Sequence, residues 1–438
     1  MAIKRWLGML IGILLLAFRV EAQDVGKALT LEESIRLALE RNLKLRSTME
    51  GVKGSELRRR GAFTDLLAKW TGQYGYTFYN HPVTVGFSPV SVPGVGVVNT
   101  DREVFSLGTT ITQPLFAGGA LISNYRVEKL GVDLSKVDVE RVKRDIVLQV
   151  KEDYFNILRA EKFLEVARQT VKQFEAQLEV ARAFFEVGLV AKNDLLQAEV
   201  RLANARQGLV KAESDLVLAK AAFNLLLRNE LDTPLKIVDI LSYTPFPLTY
   251  EESLQEALRQ RPEIRTAELK IEQAKEAVKI AKSNLYPSIN LAGNYTRVSE
   301  EPLLVGGTRG ERWTIQAQAT LTLGDWGKTA YKVGESKVKL SQAELAKTEL
   351  VEGIALEVKS GYQAMVVAEK NIRVAEKAIE QAEENLRMNE ERYKHQVATA
   401  TDVLDAVTLL AQARVNYYGA LSEFNIAKAK LERAMGRM

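Results

Sequence analysis

Trp313-Thr314-Ile315-Gln316-Ala317-Gln318-Ala319-Thr320-Leu321-Thr322-Leu323 alternates apolar and small polar side chains over its whole length, a period of two that only an extended strand turns into two chemically distinct faces. The same split runs through Phe105, Leu107, Thr109 and Ile111 against Ser106, Gly108, Thr110 and Thr112. It recurs in Ile289, Leu291, Gly293 and Tyr295 against Asn290, Ala292, Asn294 and Thr296, and Tyr74, Tyr76 and Phe78 mark a fourth segment. Strands of this kind suit a half-exposed soluble sheet or a sheet with lipid on one side. Segments near ten residues with aromatic ends match the second. Beyond the N-terminus no stretch approaches the ~18 uninterrupted apolar residues of a membrane helix, so a membrane crossing here has to be made by strands. Four strands cannot close a ring, because small barrels need about eight and hydrocarbon tolerates no open edge. Insertion therefore demands several chains: two copies bring eight strands packed with side chains, three bring twelve around a lumen lined by Thr, Ser, Gln and Gly.

Outward from the strands, the chain is written twice. Leu29-Thr30-Leu31-Glu32-Glu33-Ser34 recurs as Leu248-Thr249-Tyr250-Glu251-Glu252-Ser253, and Arg46 and Tyr76 meet Arg265 and Tyr295 at the same offset. After a shorter loop in the second copy, Gly119 meets Gly327, Lys151 meets Lys359, Tyr154 meets Tyr362 and Asp194 meets Asp402. The resulting plan is a first repeat over 23–233, a Pro-containing linker over 234–247 and a second repeat over 248–438. Each repeat carries a short helix, a longer helix, two strands (73–80 and 103–113; 288–297 and 312–323) and a long helix hairpin (120–229; 328–437). No proline interrupts 116–233 or follows residue 303, and good helix formers dominate both regions. A helix over 120–186 rises roughly 100 Å. The return helix and the earlier helix of each repeat together match that length, so they fit end to end beside it.

Composition narrows the function. Sixty basic against 56 acidic residues, interspersed, argue against a nucleic-acid partner, and the absence of cysteine removes thiolate metal sites, disulfides and cysteine nucleophiles. With only His81 and His395 as imidazoles, nothing in the sequence calls for a metal, a cofactor or a catalytic residue. Lys4 and Arg5 before the apolar run Trp6–Phe18, followed by Val20-Glu21-Ala22, read as a signal peptide over 1–22. Its roughly 13 apolar residues are too few to span a bilayer.

The chain resembles the outer membrane efflux protein family, the TolC-type exit ducts of tripartite pumps and type I secretion systems. The likeness spans nearly the whole mature chain and is carried by the duplication, by Gln113-Pro114-Leu115-Phe116-Ala117-Gly118-Gly119 and by Val187-Gly188-Leu189-Val190-Ala191-Lys192-Asn193-Asp194-Leu195 with its counterpart Val397-Ala398-Thr399-Ala400-Thr401-Asp402-Val403-Leu404-Asp405. The resemblance implies a homotrimer with a twelve-stranded β-barrel among outer-membrane lipids, a long α-helical barrel crossing the periplasm, and surface loops at 81–102 and 299–311. It implies an inner-membrane transporter as energy source, and a periplasmic adaptor docking on hairpin residues Val187, Gly188, Leu189, Val397 and Ala398. The alternative from another class is an exported coiled-coil scaffold or adhesin without a pore.

The resemblance also assigns a periplasmic gate. Asp402 and Asp405 match acidic positions that three chains would bring toward one axis as a cation-attracting ring. Asp402 and Asp194 also stand in a first helical turn, where an acidic residue caps and opposes the dipole. Tyr393 and Asp194 match positions that link the two hairpins in closed members. Family members often add a basic residue where this chain has Ala398, which leaves Lys192 or His395 as substitutes. Gln396 replaces the glycine of the first hairpin, Gly188, and leaves the second turn's shape open.

Overall fold

The computed structural model describes residues 28–81, 102–299, 301–302 and 308–437. The expected signal peptide and most of the two surface loops lie outside the described residues. The first half runs α1 (Leu31–Arg41), α2 (Leu43–Thr64), β1 (Lys69–Phe78), β2 (Glu103–Ala117), α3 (Ala120–Glu186) and α4 (Lys192–Leu226). The second runs α5 (Tyr250–Gln260), α6 (Pro262–Lys282), β3 (Ser288–Ser299), β4 (Thr308–Thr320), α7 (Lys328–Lys394) and α8 (Ala400–Ala434). The recurring Leu-Thr-x-Glu-Glu-Ser motif is explained locally. Thr30 and Thr249 close capping boxes with Glu33 and Glu252, which fixes where α1 and α5 begin.

The strands form one antiparallel sheet in the order β1-β2-β3-β4. Its register gathers Trp70, Ile111, Gly293 and Ile315 into a row on one face, and Thr71, Thr110, Asn294 and Thr314 into a row on the other. The polar row is joined by a hydrogen bond from Thr110 Oγ1 to Asn294 Oδ1 at 2.9 Å. On the apolar face Trp70, Tyr74, Tyr76, Phe78, Trp313 and Ile315 are all exposed. Strand ends depart from the alternation for physical reasons. β2 runs past Pro114 because a register shift between Pro114 and Phe116 absorbs the missing N–H donor. β4 stops at Thr320, although Leu321 and Leu323 continue the pattern, because its neighbour β3 begins at Ser288, the partner of Thr320. β1 runs Lys69–Phe78 rather than the expected 73–80, because pairing with β2 already begins at Lys69, opposite Thr112.

Helices α3 and α7 each hold 67 residues, roughly 100 Å of rise. α2 and α4 pack along α3, while α6 and α8 pack along both α3 and α7, making a wall in the order α2/α4, α3, α6/α8, α7. The end-to-end joints are sealed differently. At the first, Arg41 Nη1 donates to Asn229 Oδ1 at 3.1 Å. At the second, the buried Arg261 is paired with Glu263 and Glu357, and Arg433 reaches Asp145 at 2.9 Å and Glu357 at 3.1 Å. Short helix α1 packs on α3 and α5 on α7, and the linker packs against both of their clusters through Leu235, Ile237, Leu241 and Tyr243. There Tyr154, fully buried, donates to the carbonyls of Leu29 and Val238, and burial pushes its hydroxyl pKa up to about 12. Among the described residues no helix is long and apolar enough to cross a membrane.

Candidate gate and docking hairpins

Both long helices end in the same backbone device. After α3, Gly188 takes φ +77° and Leu189 N–H donates to the Phe184 carbonyl at 2.8 Å. After α7, Gln396 takes φ +58° and Val397 N–H donates to the Arg392 carbonyl at 2.8 Å. This is the left-handed helix stop that satisfies terminal carbonyls, built once on glycine and once on glutamine. The second turn therefore keeps the shape of the first despite the substitution. Val187, Leu189 and Val397 project into solvent, Gly188 is exposed, and Ala398 packs against the core beneath.

That core is shared by both hairpins. Phe174, Ala198, Leu202, Tyr393, Val403, Leu404 and Val407 belong to one buried cluster. Tyr393 is 5% exposed and its ring lies against Phe184, with centroids 5.4 Å apart. Its hydroxyl has no hydrogen-bond partner. The expected link to Asp194 is thus not made in this conformation. Burial raises the Tyr393 pKa, and the negative charge of Asp194 adds to the rise, so the carboxylate is close enough to be felt without being bonded. Neither Lys192 nor His395 replaces the link. Both are exposed, and neither is paired with Tyr393 or Asp194.

Asp402 closes a capping box. Its carboxylate accepts from the Thr399 N–H and hydroxyl, both at 2.8 Å, and these bonds hold its pKa below the usual carboxylate value. Asp405, one turn on, accepts from Arg201 Nη2 at 2.7 Å, and Thr401 Oγ1 donates to Gln197 Oε1 at 2.8 Å. The helices that leave the two hairpins, α4 and α8, are therefore tied by Arg201–Asp405 and Thr401–Gln197. Sequence reasoning named Asp405 for the gate but missed Gln197, Arg201 and Thr401. Their signal was the i, i+3, i+7 spacing of Asp194, Gln197 and Arg201, facing the i, i+4 pair Thr401 and Asp405. Among the described residues no cluster of His, Asp and Glu could hold a metal ion.

Comparison with known proteins agrees with this architecture. The family model described as outer membrane efflux protein matches residues 88–227 and 253–437. The chain belongs to that family. It is 22% identical over 343 residues to the outer membrane protein TolC of Vibrio cholerae, covering 77% of this chain and 78% of TolC. It is 20% identical over 412 residues to the outer membrane efflux protein BepC of Brucella suis, covering 93% and 86%. The crystal structure of the CmeC outer membrane channel of Campylobacter jejuni superposes with a TM-score of 0.79 at 19% identity, covering 93% of this chain and 85% of that one, a likeness of fold. The outer-membrane location that the sequence implies agrees with the family and with these relatives.

Proposed function

We propose that three copies of the chain close head to tail into a passive duct through the outer membrane, and that it serves as the exit of a tripartite efflux pump or a type I secretion system. One observation carries this proposal: the unsatisfied surfaces coincide on the same two flanks. The flank that ends in the free edge of β1 exposes Val200, Val210, Val217, Leu218 and Leu225 on α4. The flank that ends in the free edge of β4 exposes Val338, Leu345, Leu356, Val367 and Val374 on α7. Two different, complementary flanks make a heterologous contact, which generates a ring when the rotation closes. Val338, Leu356 and Val374 recur every 18 residues, five whole turns of an ideal α-helix, so the stripe runs straight along α7 rather than winding. A straight seam suits a barrel of parallel-running helices. Closure also satisfies both free strand edges, making twelve strands around the polar face of the sheet.

In this assembly the aromatic face of the sheet meets lipid and the hairpins form the periplasmic mouth. Val187, Gly188, Leu189 and Val397, with Ala398 seated beneath them, form an apolar tip for a periplasmic adaptor, and the inner-membrane transporter behind it supplies the energy. The gate is formed by Tyr393 and Asp194 between the hairpins and by Asp402 and Asp405 around the axis, with Arg201 offsetting the charge of Asp405. An unbonded Tyr393 hydroxyl near Asp194 supports a gate whose link can be made or broken. A pore-free scaffold leaves the lipid-like face of the sheet and the two open edges without a purpose.

Conductance of the purified protein across a planar bilayer tests the proposal. Discrete cation-preferring steps are expected, with Asp405→Ala lowering the cation preference and Arg201→Ala raising it. Absence of any conductance contradicts the duct, and currents indifferent to both substitutions remove these residues from the mouth.

A further inference from the structure

Trp326 is a misfit in the isolated chain. It takes φ +55°, a left-handed backbone that bulky side chains avoid, and its side chain is fully exposed at 102%. The internal repeat shows what this position does elsewhere. At the offset that aligns Gly119 with Gly327, Trp326 aligns with Gly118, which has φ +59°. Gly118 and Gly119 precede α3, and Trp326 and Gly327 precede α7, with matching φ of 84° and 85° at the second residue of each pair. Gly118 is pressed onto the end of α6: a Cβ there would lie 2.2 Å from the Ser283 carbonyl oxygen. Ser283, at the offset that aligns Tyr76 with Tyr295, corresponds to Thr64 at the end of α2. The counterpart of this contact would join Trp326 to Thr64. Within one chain the two cannot meet, because β1 and β4, to which they connect, are opposite edges of the sheet.

We infer that Trp326 of each copy inserts at the corner between α2 and β1 of the next copy, as an aromatic knob that locks the ring. An indole excludes the close backbone approach made at Gly118, so the seam between copies has to be wider at this corner, and the corner has room for it. A cavity of about 520 Å³ is lined there by Thr64, Asp65, Leu67, Ala68 and Lys69, together with residues of β2 and β3. Where the first repeat uses glycine to let backbone approach backbone, the second carries an indole on the same left-handed turn and aims it outward. Burial of that indole on assembly recovers the hydrophobic stabilisation that exposure forgoes in the single chain. This inference rests on the head-to-tail ring proposed above and adds to it one residue and one receiving site.

The chain has no cysteine, so a disulfide reports the contact directly. Full-length protein extracted in detergent is first sized by light scattering, then Trp326→Cys/Thr64→Cys and Trp326→Cys/Ala68→Cys are mildly oxidised. Linked dimers and trimers are expected on a non-reducing denaturing gel from at least one pair, and none from the single variants. A trimeric particle that yields no linked species from either pair overturns the knob alone. A monomeric particle overturns the ring and the knob together. Trp326→Gly, which restores the glycine of the first repeat, is expected to leave helix content unchanged and to shift the trimer–monomer equilibrium at least tenfold toward monomer. A trimer of unchanged stability, with the Trp326-dependent fluorescence quenched by brominated lipid, would assign the indole to the membrane interface and overturn the inference.

Discussion

The two helix reversals, 187–191 and 395–399, follow one backbone path with different chemistry. The first places Gly188 in the left-handed position, where an added Cβ would meet nothing within 4 Å, and starts α4 after Ala191 without a side-chain cap. The second puts Gln396 in the left-handed position and starts α8 with the Thr399–Asp402 capping box. Strain at one end of the second turn is thus offset by a cap at its other end, while the first turn has neither strain nor cap. Divergence between the repeats is tolerated because each turn keeps the same local balance, of roughly 1 kcal/mol on each side.

The comparison breaks most severely in the core. Leu404 and Leu196 are equivalent in the two repeats, yet Leu404 is 2% exposed and Leu196 is 47% exposed. Leu404→Ala should lower the stability of the hairpin end by about 2–5 kcal/mol, seen as earlier hydrogen exchange in α4 and α8, whereas Leu196→Ala should leave exchange in the single chain nearly unchanged. Equal effects would mean that the helices do not share this core. Next, Thr399→Ala should cost about 1 kcal/mol, and Ala191→Thr should gain up to a similar amount. A smaller gain is expected for Gln396→Gly, with Gly188→Gln moving the other way by about 1 kcal/mol. If Gln396→Gly destabilises instead, the left-handed assignment of that residue is contradicted. The smallest effect belongs to Arg201→Ala. Arg201 and Asp405 are 42% and 55% exposed, so their pairing contributes about 0.2–1 kcal/mol, and less at high salt.

Acid should separate the two reversals as well. The Asp402 pKa is lowered by its bonds to Thr399, so the folded state binds this proton less readily than the unfolded chain. The contribution is therefore present above the unfolded carboxylate pKa of about 3.9 and is lost as pH falls through the lower folded value. Titration followed by NMR should find Asp402 below the ordinary aspartate value in the parent and near it in Thr399→Ala. An unshifted Asp402 in the parent would remove the capping box.

Much of this was legible in the sequence where one physical rule acted over many residues. The long helical stretches of both repeats follow from proline-free runs of good helix formers, and the sheet faces follow from strict alternation. Strand ends were not legible, because they depend on which neighbour is available for pairing: Leu321 and Leu323 keep the pattern but lose β3. At the mouth, Asp402 could be read as cap or ring from sequence, and the capping bonds appear only with the Thr399 geometry. The Arg201–Asp405 tie was hidden because it joins helices 204 residues apart in the chain. Tyr393 feels the charge of Asp194 without making the bond that the resemblance implied, its ring being packed on Phe184.

The ring is tested most directly by the mass of the particle that leaves the membrane. Membranes carrying the full-length protein should release nothing into high salt and should release, in mild detergent, a particle of three chains that contains β-sheet as well as helix. A water-soluble monomer released by salt alone would contradict the account, since four strands with two open edges would then need neither lipid nor sister chains.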